Sequence, residues 1–384
     1  ILADIYAASE RPIKGVSSKT ILESAVRHGM KDAAIMDKDA IPEYVMKDKR
    51  SGDAIIVLGA GDISETADEL SELFHEESKR IPEEDIAKLS GQVSGKIRFM
   101  ERLSMHTSFR IGGPADIWIE PADVNELRKI LAFAKDRRMK VSVIGRGTNV
   151  LARDEGFRGI VIHLGSPEFK RLTVKGARLK VGAGFSLPQL VSLCCDRGLA
   201  GLESLVGIPG TVGGAIFMNA GGASNPIFRN FGDFITSVKA MDYSGRILRL
   251  AKSDLEFGYR KSNLARWIIV EVELLLRMES GASLSSRASK FLKMKKAKQV
   301  LDSLSAGCVF KNPKDSQFTS GQMIDSLGLK GKSIGGAEVS KRHANFIVNR
   351  KGATCADVMG LIRLIRKRVE DNYKVKLELE VSVI

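Results

Sequence analysis

Gly207-Ile208-Pro209-Gly210-Thr211-Val212-Gly213-Gly214, with Met218-Asn219-Ala220-Gly221-Gly222 just behind it, decides how this chain is read. Glycines this dense in an apolar segment place bare backbone against a neighbour, because only glycine leaves N–H groups unshielded and takes positive φ without penalty. A tight turn packed on a strand would explain one isolated cluster. A second loop, Gly145-Arg146-Gly147-Thr148-Asn149, follows the apolar run Val141, Val143, Ile144 and adds a guanidinium and two hydrogen-bonding side chains. Two such loops in one domain point to a phosphate-bearing, planar dinucleotide rather than a monophosphate.

The 384 residues are enough for two or three domains with real cores. Composition is ordinary for a globular protein, 43% hydrophobic and 28% charged, and no apolar run is long enough to span a bilayer, so membrane insertion is not expected. The cysteines Cys194, Cys195, Cys308 and Cys355 have no metal-ligand spacing, and adjacent cysteines rarely bridge each other; a reducing cytoplasm without a bound metal is the expectation. A net charge of +14 calls for anionic partners. The densest basic stretch, Arg287 through Lys290, Lys293, Lys295, Lys296 and Lys298, carries only Phe291 as an aromatic and no nucleic-acid motif, so it reads as a solvated helix face. Small anions such as nucleotides and sugar diphosphates explain the charge without nucleic acid.

Residues 1–75 alternate strand and helix: Leu2 to Ala7, a helix with Ile21, Leu22, Ala25 and Val26 on one face, a strand at Ala33 to Met36, Asp53 to Leu58 running into Gly59-Ala60-Gly61, then a helix from Ser64. The Gly59 turn is no dinucleotide fingerprint, since Ser64 replaces the third glycine and Asp62 puts a carboxylate where a pyrophosphate would sit. Residues 76–95 are charged and proline-interrupted, a linker or a solvated helix. From Ile97 the pattern becomes short strands between glycine turns, at Ala115 to Glu120, Val141 to Ile144, Gly159 to Leu164 and Leu179 to Gly184, interrupted by helices at Val124 to Asp136 and Leu187 to Arg197. That is an α+β pattern in two lobes, with a further α/β segment from 283. The first residue is Ile1 rather than Met, and the chain starts inside a strand-like pattern, so an upstream part of a longer polypeptide is expected.

Together these segments resemble the UDP-N-acetylenolpyruvoylglucosamine reductase family of flavoenzymes. The resemblance is carried, in family order over 96–384, by His106-Thr-Ser-Phe-Arg-Ile-Gly-Gly-Pro-Ala115, both glycine loops, Phe257-Gly-Tyr-Arg260, Ser305-Ala-Gly-Cys-Val-Phe-Lys-Asn-Pro313, Gly335-Gly-Ala337, His343-Ala-Asn-Phe346 and Leu377-Glu-Leu-Glu-Val381. Residues 1–75 separately resemble the tail of UDP-N-acetylmuramate–L-alanine ligase through Asp4 to Glu10 and Leu58 to Asp62. The pair implies a ligase–reductase fusion with an upstream ligase domain; the tail carries no Gly-Lys-Thr ATP loop and should not ligate alone. The implied fold is a two-lobed FAD-binding fold of the vanillyl-alcohol-oxidase/PCMH type (96–282, lobes 96–164 and 165–282), an α/β substrate-binding domain (283–375) and a returning strand (376–384), preceded by a partial α/β, Rossmann-like ligase tail.

The resemblance implies reduction of UDP-N-acetylglucosamine enolpyruvate by NADPH through FAD, with a proton delivered to C2 of the enolpyruvyl group. Cys308 stands where many relatives have serine, and a thiol is a stronger acid than an alcohol. Arg260 and Glu380 are the implied polarising pair, with Glu378 as fallback. Cofactor contacts are implied for Arg146, Gly147, Thr148, Asn149, Gly207, Ile208, Pro209, Gly210, Thr211, Gly213, Gly214 and Asn219, and substrate contacts for Tyr259, Lys311, Asn312, Lys330 and His343. Gly222-Ala223-Ser224-Asn225 replaces the family's Gly-Ala-Tyr-Gly, and no long insertion with a clamping tyrosine follows Arg260, as in the shorter subclass. A flavin oxidase of the same architecture acting on another substrate is the alternative; such enzymes often tether FAD through His or Cys, which neither loop offers. A flavin-free nucleic-acid binder would require the glycine loops to be turns only.

Overall fold

Ser17 accepts a hydrogen bond from the Thr20 N–H and so starts α1 (Ser18–Arg27), which is followed by α2 (Ile41–Asp48) and α3 (Ile63–Ser78). These belong to the first of two compact units, Ile1–Pro82 and Glu83–Ile384, in a computed structural model that describes residues 1–3, 15, 17–48, 55–58, 63–78, 81–222, 228–298, 300 and 303–384. In the first unit Leu2 forms an isolated parallel bridge with Ile35, and beyond that bridge Ala33 to Met36 form no strand, contrary to expectation. Residues 4–7, 53–54 and the Gly59–Asp62 turn lie outside the described residues. Ile55 to Leu58 form no strand, contrary to expectation: among the described residues no neighbouring edge pairs with them, and Ile56 and Leu58 are 76% and 85% exposed.

The charged 83–95 stretch is no mere linker. Glu83–Gln92 form α4, because Leu89 is fully buried and the Asp85 carboxylate accepts from Arg137 Nε at 2.6 Å at the end of α5 (Val124–Asp136). Asp123 caps α5 by accepting from the Asn125 and Glu126 N–H groups, which explains why its start is legible in the sequence. Around it lie β1 (Lys96–Arg102), β2 (Pro114–Glu120), β3 (Val141–Val143), β4 (Val150–Leu151) and β5 (Phe157–Ile162). The sheet order is β1-β2-β5-β3, with β1 antiparallel to β2 and the others parallel to β5.

The second lobe contains β6 (Leu172–Lys175), β7 (Arg178–Gly182), α6 (Leu187–Asp196), β8 (Leu199–Ala200), α7 (Val212–Phe217), β9 (Ile235–Asp242), β10 (Ile247–Ala251), the hairpin β11 (Phe257–Gly258) and β12 (Lys261–Ser262), β13 (Trp267–Leu275) and β14 (Arg277–Met278). Its antiparallel sheet runs β10-β9-β13-β7-β6. α8 (Gly281–Lys298) and α9 (Ser320–Ser326) then lead to a small sheet, β15 (Ser333–Ile334), β16 (Ala337–Val339) and β17 (Ile347–Asn349), covered by α10 (Cys355–Tyr373). Val358, Leu361, Ile362 and Ile365 of α10 bury their side chains in a core shared with Phe109, Ile111 and Leu151. The chain ends in β18 (Ser382–Val383), which pairs in parallel with β4, so the last residues lie beside the first glycine loop.

Candidate active site

The Gly145 loop leaves β3 and turns at Gly147, whose φ is +61° and where a Cβ would stand 2.1 Å from the His106 carbonyl oxygen; only glycine fits. The Gly207 loop runs beside it. Thr148 Oγ1 donates to the Pro209 carbonyl (3.4 Å), and a Cβ on Gly145 would meet Thr211 Oγ1 at 2.5 Å. Thr211 also starts α7, accepting from the Gly214 N–H at 3.2 Å. Among the described residues the Arg146, Gly147 and Thr148 N–H groups donate to no protein acceptor, a row of free donors such as a pyrophosphate takes. These loops form the wall of a cleft of about 1600 Å³ lined by Arg146 to Asn149, Gly207 to Thr211, Gly213 and Gly214. Its volume, its unshielded backbone and the aromatic Tyr243 and Trp267 on its lining fit a flavin dinucleotide.

At the other end three distant segments meet. Val309 donates to the Asn345 carbonyl (2.9 Å), Glu380 donates to the Val309 carbonyl (2.8 Å), and Cys308 bridges Phe346, so residues 308–311 run between 345–346 and 378–380. The buried Asn345 amide holds both polar groups of Phe310, accepting from its N–H at 3.0 Å and donating to its carbonyl at 2.8 Å. Cys308 and Glu380 therefore face one cleft with Arg260. Arg260 Nε donates to Glu380 Oε1 at 2.6 Å and Nη1 to the Gly221 carbonyl at 2.9 Å. Burial pushes the Glu380 carboxyl above the usual range while Arg260 opposes that. Burial, reinforced by Glu380, pushes the Cys308 thiol up to about 12. Tyr259, its phenol also pushed up by burial, accepts from the Asn312 N–H at 3.2 Å.

Glu378 does not join this pair: its carboxylate is 77% exposed and meets Lys311 at 3.3 Å. Lys311, Lys330 and His343 do not line the cleft. Lys330 pairs with Asp325 at 2.6 Å, and His343, whose pKa burial and then Lys330 push below the usual imidazole value, packs edge-on against Phe346. Asn219 also stays off the lining, because its side chain is buried behind it. Residues 223–227, including the Ala223-Ser224-Asn225 departure, lie outside the described residues.

α8 is not simply a solvated basic face. Arg287, Phe291 and Lys295 recur every four residues on its inner side, a signal available in the sequence. Arg287 holds the buried Glu203 carboxylate at 2.7 Å. Lys295 Nζ donates to the Ser204 and Val206 carbonyls at 2.7 and 2.9 Å and enters the cleft, where burial and then Arg260 lower its pKa to about 8. Lys290, Lys293 and Lys296 do face solvent.

Residues 115–251 match the model of an FAD binding domain, and residues 299–384 match that of the UDP-N-acetylenolpyruvoylglucosamine reductase C-terminal domain. A relative of that name from Symbiobacterium thermophilum is 40% identical over 75% of this chain and 92% of its own length. The chain belongs to the UDP-N-acetylenolpyruvoylglucosamine reductase family. The Moorella thermoacetica reductase is 38% identical over 78% of this chain and 98% of its own. The crystal structure of the Thermus caldophilus reductase superposes with a TM-score of 0.64 at 35% identity, covering 75% of this chain and 98% of that one. The two-lobed, PCMH-type FAD-binding fold expected of the family is the fold observed. Residues 1–82 lie outside both family models.

Proposed function

We infer that this chain reduces UDP-N-acetylglucosamine enolpyruvate to UDP-N-acetylmuramate with NADPH and FAD, a step of peptidoglycan synthesis in the cytoplasm. The observation that carries this is the convergence of Cys308, Arg260 and Glu380 at one end of a cleft walled by two glycine loops. Bound along those loops, FAD supplies the relay of hydride from NADPH to C3 of the enolpyruvyl group. The Arg146, Gly147 and Thr148 N–H groups, which have no protein acceptor among the described residues, would hold its phosphates, with Gly207 and Gly210 bringing bare backbone up to it across the cleft. Arg260 holds the substrate carboxylate and, with Glu380, stabilises the enolate-like charge that develops at C2. Cys308 keeps a proton at Sγ and delivers it to C2 on the far side. Tyr259 and Asn312 border the enolpyruvyl end; Lys311, Lys330 and His343, which lie off the cleft lining, are substrate contacts on the family resemblance alone.

Anaerobic stopped-flow at the flavin band tests this: NADPH should bleach the band, and UDP-N-acetylglucosamine enolpyruvate should restore it. Bleaching without restoration removes the substrate assignment and favours another substrate on the same fold; no flavin band after FAD is supplied removes the reading entirely.

For residues 1–75 the proposal is the ligase tail, supported by the Asp4 to Glu10 and Leu58 to Asp62 resemblance alone. The chain should then release no phosphate from ATP with UDP-N-acetylmuramate and L-alanine.

A further inference from the structure

Asn219 follows α7 with a left-handed backbone, φ +44°. Its N–H and that of Ala220 return to the Ile216 and Ala215 carbonyls at 3.0 and 2.7 Å, the paired bonds that close a helix at a left-handed residue. Glycine serves that backbone role at least as well. The turn alone therefore does not account for the amide.

That amide is 5% exposed and spans two other segments. Nδ2 donates to the Gly258 carbonyl at 2.9 Å, and Oδ1 accepts from the Gly232 N–H at 3.1 Å. Only this orientation gives a carbonyl a donor and an N–H an acceptor. The Gly232 carbonyl in turn accepts from Lys252 Nζ, whose ammonium lies 4.9 Å from the centre of the Phe257 ring. Both residues of β11 are thus anchored, Phe257 under Lys252 and Gly258 by Asn219.

Gly258 carries the Tyr259-Arg260 turn of the hairpin. Arg260 sits at φ +51°, a left-handed conformation that a non-glycine residue adopts only at a cost. A turn held against that preference relaxes when the peptide before it is released, and the guanidinium swings with it. We propose that Asn219 is a positioning residue for the substrate-reducing step: it fixes Gly258, and through the turn holds the Arg260 guanidinium on Glu380. It does this from behind the cleft wall and makes no contact with the cofactor. The proposal rests on the reductase reading above and adds a residue that acts through Arg260.

The test uses the full chain with FAD. Asn219→Gly keeps the left-handed helix end and deletes the amide; Asn219→Asp keeps the acceptor for Gly232 and turns a carboxylate oxygen toward the Gly258 carbonyl. Both should retain wild-type flavin content and be reduced by NADPH within about twofold of the wild-type rate. Reoxidation by UDP-N-acetylglucosamine enolpyruvate should fall at least tenfold in both. A merely structural role moves both half-reactions together, and a cofactor contact moves flavin content; either result overturns the proposal, as does Asn219→Gly reoxidised at the wild-type rate. Should Asn219→Gly yield no folded protein, the Asn219→Asp half-reactions decide in the same way. Wild type that is never reoxidised sinks the functional reading and this inference with it, whereas reoxidised wild type with an unaffected variant sinks only the inference.

Discussion

Burial holds the Cys308 proton until about pH 12, whereas an ordinary thiol releases it near 8.5. The proton is secure at neutral pH, but the acidity advantage over serine is smaller than an unperturbed thiol would have. Cys308→Ser should therefore keep a measurable fraction of substrate-driven reoxidation. Cys308→Ala should lose roughly 10²- to 10⁴-fold, the usual worth of a general acid, with NADPH reduction intact. Because the folded thiol titrates so high, stopped-flow across the neutral and mildly alkaline range should show no falling limb from Cys308. Arg260 reaches Glu380 with Nε and the Gly221 carbonyl with Nη1, a fork that one ammonium cannot reproduce. Arg260→Lys should slow reoxidation at least tenfold while leaving flavin content unchanged, read from the same traces.

Among the elements, α5 is tied down by Glu126. Its carboxylate accepts from the Ser94, Gly95 and Ala122 N–H groups at 2.7, 3.2 and 2.8 Å, joining the end of α4 and the entry to α5. Burial pushes its pKa up, but the hydrogen bonds outweigh burial and the net shift is downward. A carboxyl lowered in the folded state contributes stability that is present above its unfolded pKa, about 4.3, and is lost as pH falls through the lower folded value. Glu126→Gln should cost about 1–3 kcal/mol at pH 7. Denaturant titrations should show that gap narrowing in acid. α8 works by the same logic from the other side of the cleft: Arg287 grips Glu203, and Lys295 grips the two carbonyls that lead into the Gly207 loop.

At the scale of the molecule, the described residues that line the cleft all lie between Met105 and Ile384, inside the Glu83–Ile384 unit. A chain beginning at Glu83 should bind FAD and carry out both half-reactions within about twofold of the full chain, measured by flavin absorbance and stopped-flow. A large loss would give residues 1–82 a part in the reductase site. The C-terminal strand closes this unit: β18 pairs with β4, and Asn149 Nδ2 donates to the Glu380 carbonyl at 3.0 Å, so the first glycine loop also steadies the strand that bears Glu380.

Local rules explain what could be read directly. Asp123 and the apolar spacing behind it mark α5 from Val124 to Asp136, because capping and helical periodicity act within a few residues. The glycine loops are legible for the same reason: positive φ and bare N–H groups follow from residue type alone. The family motifs identify Arg260, Cys308 and Glu380 as a set, yet nothing local says that they meet. The helix at 83–92 and the inward turn of Lys295 depend on partners far along the chain, Arg137 and the carbonyls of Ser204 and Val206. Asn219 shows the division most clearly. The sequence by itself put Asn219 in a glycine-rich segment and, through the family resemblance, among the cofactor contacts, whereas only the tertiary structure decided that it ends a helix and that its amide faces Gly258 and Gly232, because side-chain direction is set by long-range packing.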